Sequence, residues 1–180
     1  MTGIRDMNAE EFKALVEVVR KASNEGELTL AAEVCQGGED EFAALAVTAA
    51  PGAAADIIWI CEGDKSYLFS ERTMTRRYAE AAALGASRDP LRMIAATVRS
   101  ESATYPRPTR LETFHDRPFC LSSEEITTAV ARMRADAQYA DIATARASNG
   151  AEFLFSSNHL SRDQAVSMAE WLAVGQCDNP

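Results

Sequence analysis

His115 and Cys120 lie five residues apart in the irregular segment HDRPFC. A cysteine nucleophile needs an imidazole close by, because the thiol is mostly protonated at neutral pH and the thiolate is the reactive form. A folded loop could bring the two side chains together, with Cys120 as nucleophile and His115 as its base. The alternative is a surface histidine near a cysteine that packs as a small apolar residue, and the loose spacing favours that alternative.

A second candidate precedes the last predicted helix, where Asn158 and His159 lie just before Ser161. Backbone N–H groups at a helix N-terminus attract negative charge, so these residues could hold a small anionic ligand. Ser161 with Gln164 three residues later is also typical of a capping box. Because helices commonly begin with such a cap, capping is the favoured interpretation.

Signatures of metal, nucleotide and hydrolase sites do not occur in the sequence. The two histidines are 44 positions apart, and neither has a Cys, Asp or Glu at the spacing of a metal site. Gly37 and Gly38 lack the strand–helix context and the Lys-Ser or Lys-Thr pair of a phosphate-binding loop. Gly-x-Ser-x-Gly is also missing. The sequence therefore predicts no metal and no cofactor.

Arginine dominates the basic residues of the central segment. Residues 65–117 contain ten basic residues, all Arg except Lys65, and six acidic residues, whereas the flanks contain eight basic and twenty-one acidic residues. Arg pairs bidentately with carboxylate and phosphate groups. Helical spacing turns a set of these side chains away from the apolar positions, so we expect an outward stripe. A solvated polar face is the alternative. The stripe consists of Arg72, Arg76, Arg88, Arg92 and Arg99.

An arginine stripe on a chain of net charge −9 favours an acidic protein partner, or a second copy of the chain, over nucleic acid or a membrane. Nucleic-acid binding normally adds aromatic stacking residues or an overall basic domain, and both are missing. We therefore expect a non-enzymatic interaction or accessory protein that docks through the stripe or forms a homodimer. The alternatives are a small enzyme built on Cys120 and His115, and a sensor of a small anionic ligand.

The composition and the first residues predict a bacterial, cytoplasmic protein. Alanine and arginine are abundant and lysine is scarce. Residues 1–8 lack a basic leader and an apolar stretch, and the longest strongly apolar run, 57–61, is too short to cross a bilayer. The scattered cysteines are expected to be free thiols. They are Cys35, Cys61, Cys120 and Cys177.

The periodicity predicts an α+β fold, in which about five helices pack against an antiparallel sheet of about six strands. Capping signals and helical spacing place helices at 8–24 and 74–84 and after Asp89, Ser122 and Ser161. Alternation and turn residues place an N-terminal meander at 27–35, 41–49, 56–61 and 66–70, and a C-terminal hairpin at 141–147 and 151–156. A helix within 27–49 remains open because that stretch is rich in alanine.

One domain over 1–180 is expected from the length, without an internal repeat. Two sub-lobes, 1–104 and 109–180, are the alternative, joined by Tyr105–Pro108, whose prolines cannot continue a helix. Asn149-Gly150 is the strongest hairpin signal in the chain. It predicts a two-residue type I′ turn with positive φ at both positions.

Overall fold

The computed structural model describes residues 8–35, 38–48 and 50–175. Its internal contacts divide the chain into two compact units, Met1–Ala86 and Ser87–Pro180. Tyr105–Pro108, the expected connector, lies within the second unit. The expectation of one domain stays a prediction.

The first unit contains a three-stranded antiparallel sheet with the order β1-β3-β2. Its strands are β1 (Thr29–Leu30), β2 (Ile57–Glu62) and β3 (Lys65–Ser70). Its helices are α1 (Ala9–Asn24), α2 (Ala31–Val34), α3 (Gly38–Thr48) and α4 (Arg76–Gly85).

Helix α1 begins at a capping box and packs one apolar face onto the sheet. The Asn8 side chain accepts a hydrogen bond from the backbone N–H of Glu11, and the Glu11 carboxylate accepts one from the Asn8 N–H at 2.8 Å. Phe12, Val16 and Val19 are at most 1% exposed and join a core cluster around β3. The helical spacing of these apolar residues therefore sets the face that α1 buries.

The second unit has a sheet of the same kind, with the order β4-β6-β5. Its strands are β4 (Thr109–Arg110), β5 (Ile142–Arg146) and β6 (Glu152–Ser156). Its helices are α5 (Pro90–Thr104), α6 (Ser123–Ala135) and α7 (Arg162–Glu170), with a 3₁₀ turn at Leu111–Phe114 and a π-helical turn at Trp171–Gly175. The capping residues expected at Asp89, Ser122 and Ser161 are confirmed.

The two units share one topology, so the expectation of no internal repeat is wrong. Each runs from a long helix to a two-residue strand, then through further helical segments to a hairpin and a last helix. The registers also correspond, because Thr29 lies opposite Leu68 and Thr109 lies opposite Leu154. The repeat escapes notice in the sequence because few residues are shared between the units.

The α+β class is confirmed, and the six strands in the described residues form two sheets of three. The strand expected at 41–49 is wrong, because α3 forms there. The strand expected at 27–35 shortens to β1 followed by α2. The alanine-rich sequence favours helix at these positions. No meander forms, since β1 pairs with β3 rather than with the next strand in sequence.

The β5–β6 hairpin is confirmed, but its turn is not type I′. Gly150 has a φ of 88°, and Asn149 does not have a positive φ. The Gly150 N–H donates to the Ala147 carbonyl at 3.0 Å, and the Ala147 N–H donates to the Ala151 carbonyl at 3.0 Å. The Asn149 side chain accepts from the Ala151 N–H at 3.0 Å. These bonds stabilise a three-residue loop that ends in a glycine bulge.

Replacing Gly150 with Val should lower the free energy of unfolding by about 1 kcal/mol or more, because a β-branched residue is strained at positive φ. A Cβ at this position meets no atom within 4 Å, so strain rather than a clash is tested. Thermal unfolding measures the effect, with Gly150→Asn as the milder control because Asn tolerates left-handed backbone. An unchanged melting temperature for Gly150→Val would contradict this assignment of the turn.

Candidate functional site

The second unit is held together by an ion pair between its first helix and the residue before its hairpin. Nε and Nη2 of Arg99 donate to the two carboxylate oxygens of Asp141 at 3.0 and 2.6 Å. The Ser156 hydroxyl donates to the same carboxylate at 2.7 Å, and the Ser156 N–H donates to Ser102 Oγ at 3.0 Å. Helix α5, strand β6 and the start of β5 therefore meet at one carboxylate.

The first unit contains the same network at corresponding positions. Nε and Nη2 of Arg20 donate to the two carboxylate oxygens of Asp56, with 3.0 Å from Nε to Oδ2. The Ser70 hydroxyl donates to Asp56 at 2.5 Å, and the Ser70 N–H donates to Ser23 Oγ at 2.9 Å. An Arg–Asp–Ser–Ser network is therefore common to the two units.

These ion pairs stay charged throughout the neutral range. Hydrogen bonds from Arg20 and Arg99 hold the pKa of Asp56 and of Asp141 at about 2, although partial burial opposes that shift. The same hydrogen bonds raise the pKa of both arginines. A carboxylate with so low a pKa neither accepts nor donates a proton near pH 7, so we assign the network a structural role.

Replacing Asp141 with Asn should lower the free energy of unfolding at neutral pH by about 2 kcal/mol. The folded-state pKa is depressed, so this stability is present above about pH 4 and is lost as the pH falls toward about 2. Urea unfolding across this range should give a flatter pH dependence for Asp141→Asn. Asp116→Asn changes an exposed carboxylate of the same unit and is the control. Equal pH dependences for the two variants would contradict the role of the ion pair.

Among the arginines expected in the outward stripe, Arg72, Arg76 and Arg99 form ion pairs within their own units. Arg88 and Arg92 are exposed at the start of α5, and Arg88 has a φ of 52°. Docking through these side chains stays a prediction. The paired arginines are Arg99 with Asp141, Arg72 with Asp56, and Arg76 with Glu80.

His115 and Cys120 make no hydrogen bond to each other in the part of the chain that the structure describes. His115 Nδ1 lies 2.8 Å from the carbonyl oxygen of Leu121 and donates to it, because a carbonyl can only accept. Cys120 is exposed and has a φ of 53°. The geometry therefore offers Cys120 no imidazole contact, and its role as a nucleophile stays a prediction.

The polar residues before α7 take part in capping. The Ser161 hydroxyl accepts from the Gln164 N–H at 3.3 Å, and the Ser161 N–H donates to Gln164 Oε1 at 3.0 Å. Asn158 and His159 are exposed, and the His159 N–H donates to the Ser156 carbonyl at 3.1 Å. An anion site at this helix start stays a prediction.

Cys61 and Cys120 are exposed, and Cys35 is buried with its Sγ 3.4 Å from the Gly38 carbonyl oxygen, so the free thiols stay a prediction. Cys177 lies outside the described residues. Within the described ranges, no group of three or more His, Cys, Asp or Glu side chains could hold a metal ion. None of the helices there combines the length and the apolarity needed to cross a membrane.

A cleft of about 510 Å³ lies beside β4 in the second unit and is called the β4 cleft below. The cleft combines charged and apolar side chains, which is typical of ligand sites. Its polar lining residues are Glu101, Arg107, Arg110 and Thr113. Its apolar lining residues are Pro108, Phe153, Leu172 and Ala173.

The charges of the β4 cleft are unevenly compensated. Glu101 pairs with Arg107 at 3.2 Å and accepts a hydrogen bond from the Thr109 hydroxyl at 3.2 Å. Arg110 lies over the ring of Phe153, 5.2 Å from its centre, and donates to the Leu172 carbonyl at 2.9 Å. Because Arg110 has no carboxylate partner among the described residues, it supplies the unneutralised positive charge of the cleft.

The first unit has an apolar side chain at the position that corresponds to Arg110. Leu30 lies opposite Tyr67, just as Arg110 lies opposite Phe153 in the second unit. Leu30 and Tyr67 belong to an apolar cluster that also contains Phe69. The fold is therefore compatible with an apolar residue at the position of Arg110, and the charged cleft is a property of the second unit.

Comparison with known proteins relates the whole chain to one family. The YdhW C-terminal domain matches residues 88–177. A protein of Escherichia coli (strain K12) described as uncharacterized protein YdhW is 30% identical over 176 residues, which cover 95% of this chain and 82% of that protein. The chain belongs to the YdhW family. No solved structure shows significant similarity to it.

The YdhW C-terminal domain coincides with the second unit, which begins at Ser87. Sequence reasoning missed the ion pairs of both units, although weak signals for them exist. An Arg precedes a Ser by three residues in α1 and in α5, and Asp-Ile precedes both hairpins at 56 and 141. Leu-Phe-Ser ends both hairpins at 68–70 and 154–156.

Thr29 shows how the two repeats of this YdhW-family protein have diverged. Its side chain is buried, and its hydroxyl has no hydrogen-bond partner among the described residues. The corresponding Thr109 donates to Glu101, but Ala22 occupies the place of Glu101 in the first unit. A buried hydroxyl without a partner costs free energy.

Replacing Thr29 with Val should therefore raise the free energy of unfolding by about 1 kcal/mol, because Val has nearly the same shape and removes the unpaired hydroxyl. Thr109→Val is the matched variant and should lower it by about 1 kcal/mol, since it removes the bond to Glu101. Urea unfolding of both variants measures the difference. Destabilisation of similar size in both would show that Thr29 has a partner after all.

Proposed function

We propose that this member of the YdhW family is a non-enzymatic interaction or accessory protein that binds an acidic partner through arginines of its second unit. The difference in charge between the β4 cleft and the corresponding positions of the first unit supports this function. Arg107 and Arg110 occupy the places that Glu27 and Leu30 have in the first unit. Guanidinium groups bind carboxylates in planar, bidentate pairs. A surface that carries more positive charge than its counterpart in the first unit fits a role in binding.

The distribution of charge between the units also supports an acidic partner. All ten basic residues of the second unit are Arg, against twelve acidic residues, whereas the first unit has eight basic and fifteen acidic residues. The acidic excess of the first unit makes a second copy of the chain one partner of suitable charge. Arg88 and Arg92, the exposed pair at the start of α5, would extend the basic surface of the second unit.

Changing Arg107 and Arg110 together to Gln should weaken association with the partner at low salt and reduce its salt dependence, because exposed charges attract over about 8 Å at physiological ionic strength. Sedimentation equilibrium at about 50 and 500 mM NaCl measures association of the chain with itself. If the partner is a different protein rather than a second copy of the chain, cross-linking identifies it, and titration with the purified partner measures the affinity.

Arg132→Gln together with Arg162→Gln removes the same charge from exposed positions of the second unit that do not line the β4 cleft, and this variant is the matched control. A third variant, with Arg88 and Arg92 changed to Gln, tests the expected helical face. Arg99 is left intact, because its loss would leave the partly buried Asp141 without its cation. If association is equal for the Arg107/Arg110 variant and the control at each salt concentration, the proposed binding surface is wrong.

A further inference from the structure

We infer that the β4 cleft binds one carboxylate with an apolar side chain next to it, as an acidic peptide segment of the partner would present. This inference rests on the proposed function, because it names the group of the acidic partner that the cleft takes. Arg110 is the cation for that carboxylate, and Leu172 and Ala173, which are half-buried, are the apolar surface for the neighbouring side chain.

The charge of the cleft favours a single carboxylate. Glu101 neutralises Arg107 at 3.2 Å, so Arg110 leaves the lining with one net positive charge. A carboxylate completes that balance, whereas a phosphate dianion adds a surplus negative charge close to Glu101. Since the cleft is partly enclosed by apolar side chains, such a surplus costs more than it would in water.

The guanidinium of Arg110 is held in position before any ligand binds. Its Nη2 donates to the Leu172 carbonyl at 2.9 Å, and its Cζ lies over the Phe153 ring, 5.2 Å from the centre. A cation fixed in this way loses little conformational freedom when it binds a carboxylate. The hydrogen bond also places the charge beside the half-buried side chains of Leu172 and Ala173, so a suitable ligand offers a charged and an apolar group together.

The first unit supplies a natural reference for the test. Leu30 takes the place of Arg110 there and lies opposite an aromatic residue, as Arg110 does. Arg110→Leu therefore places a leucine opposite an aromatic residue in the second unit, a pair that the first unit already contains. Arg132→Gln removes one exposed positive charge of the same unit away from the cleft and is the matched control.

The test uses the full chain and the blocked dipeptide acetyl-Phe-Glu-amide, with binding followed by NMR of the Leu and Ala methyl groups. We expect saturable shifts at Leu172 and Ala173. Affinity should fall about tenfold or more for Arg110→Leu, and it should stay unchanged for Arg132→Gln. Glu101→Gln removes the competing carboxylate and should raise affinity about threefold. Because this variant gains affinity, the test stands even if Arg110→Leu fails to fold.

Two matched dipeptides and two small anions, inorganic phosphate and phenylacetate, decide the chemistry. Acetyl-Phe-Gln-amide lacks the charge and acetyl-Ala-Glu-amide lacks the aromatic ring, and equal binding of either would overturn the inference. Equal competition by inorganic phosphate would contradict the choice of a carboxylate. Tighter binding of phenylacetate than of the dipeptide would make the occupant a small acid rather than a peptide. If association with the partner depends on Arg110 but the dipeptides do not differ, the inference fails while the proposed function stands.

Discussion

In both units an arginine of the first helix binds an aspartate at the entrance to the hairpin, and the rest of each unit is arranged around that ion pair. The partners are far apart in sequence, 36 residues for Arg20 and Asp56 and 42 for Arg99 and Asp141. Partial burial of charge is costly unless the remaining donors and acceptors are satisfied. Here serine hydroxyls bind both carboxylates, and the backbone carbonyls of Ala53 and Gln138 accept the second guanidinium donor. Each ion pair is therefore part of a completed hydrogen-bond network that fixes helix against sheet.

Because the shared network holds helix and sheet together in both units, residues outside it can differ between the units. The contrast is clearest at the two-residue strand that follows the first helix. In the first unit Leu30 contributes to an apolar cluster, whereas in the second unit Arg110 lines an open cleft. A nearby position also differs, because the first unit has Ala22 where the second unit has Glu101. The hydroxyl of Thr109 donates to Glu101, whereas the hydroxyl of Thr29 has no such carboxylate to bind. The family domain corresponds to the unit that carries the charged cleft.

The sequence predicted the features that depend on local physics. The helix caps could be predicted because each capping side chain binds a backbone N–H only two or three residues away. The caps are Asn8, Asp89, Ser122 and Ser161. The strand expected at 41–49 failed, since alternation in an alanine-rich stretch separates strand from helix poorly. The type I′ turn failed because the Asn149 side chain binds the backbone of Ala151. The partner of Arg99 could not be predicted, because nothing local relates it to Asp141 across 42 residues.

The difference between Leu30 and Arg110 also matters while the chain folds. A chain with two copies of one topology can exchange equivalent strands, and misassembly between repeats is a characteristic failure of such proteins. The short strands β1 and β4 are the natural elements to exchange, since each pairs over only two residues. An arginine in the place of Leu30 would bring a charge into the apolar cluster around Phe69, where it would lack the Leu172 carbonyl. Leucine at position 110 would in turn leave the cation–π contact with Phe153 unmade. The difference between Leu30 and Arg110 thus opposes strand exchange between the two halves of the chain.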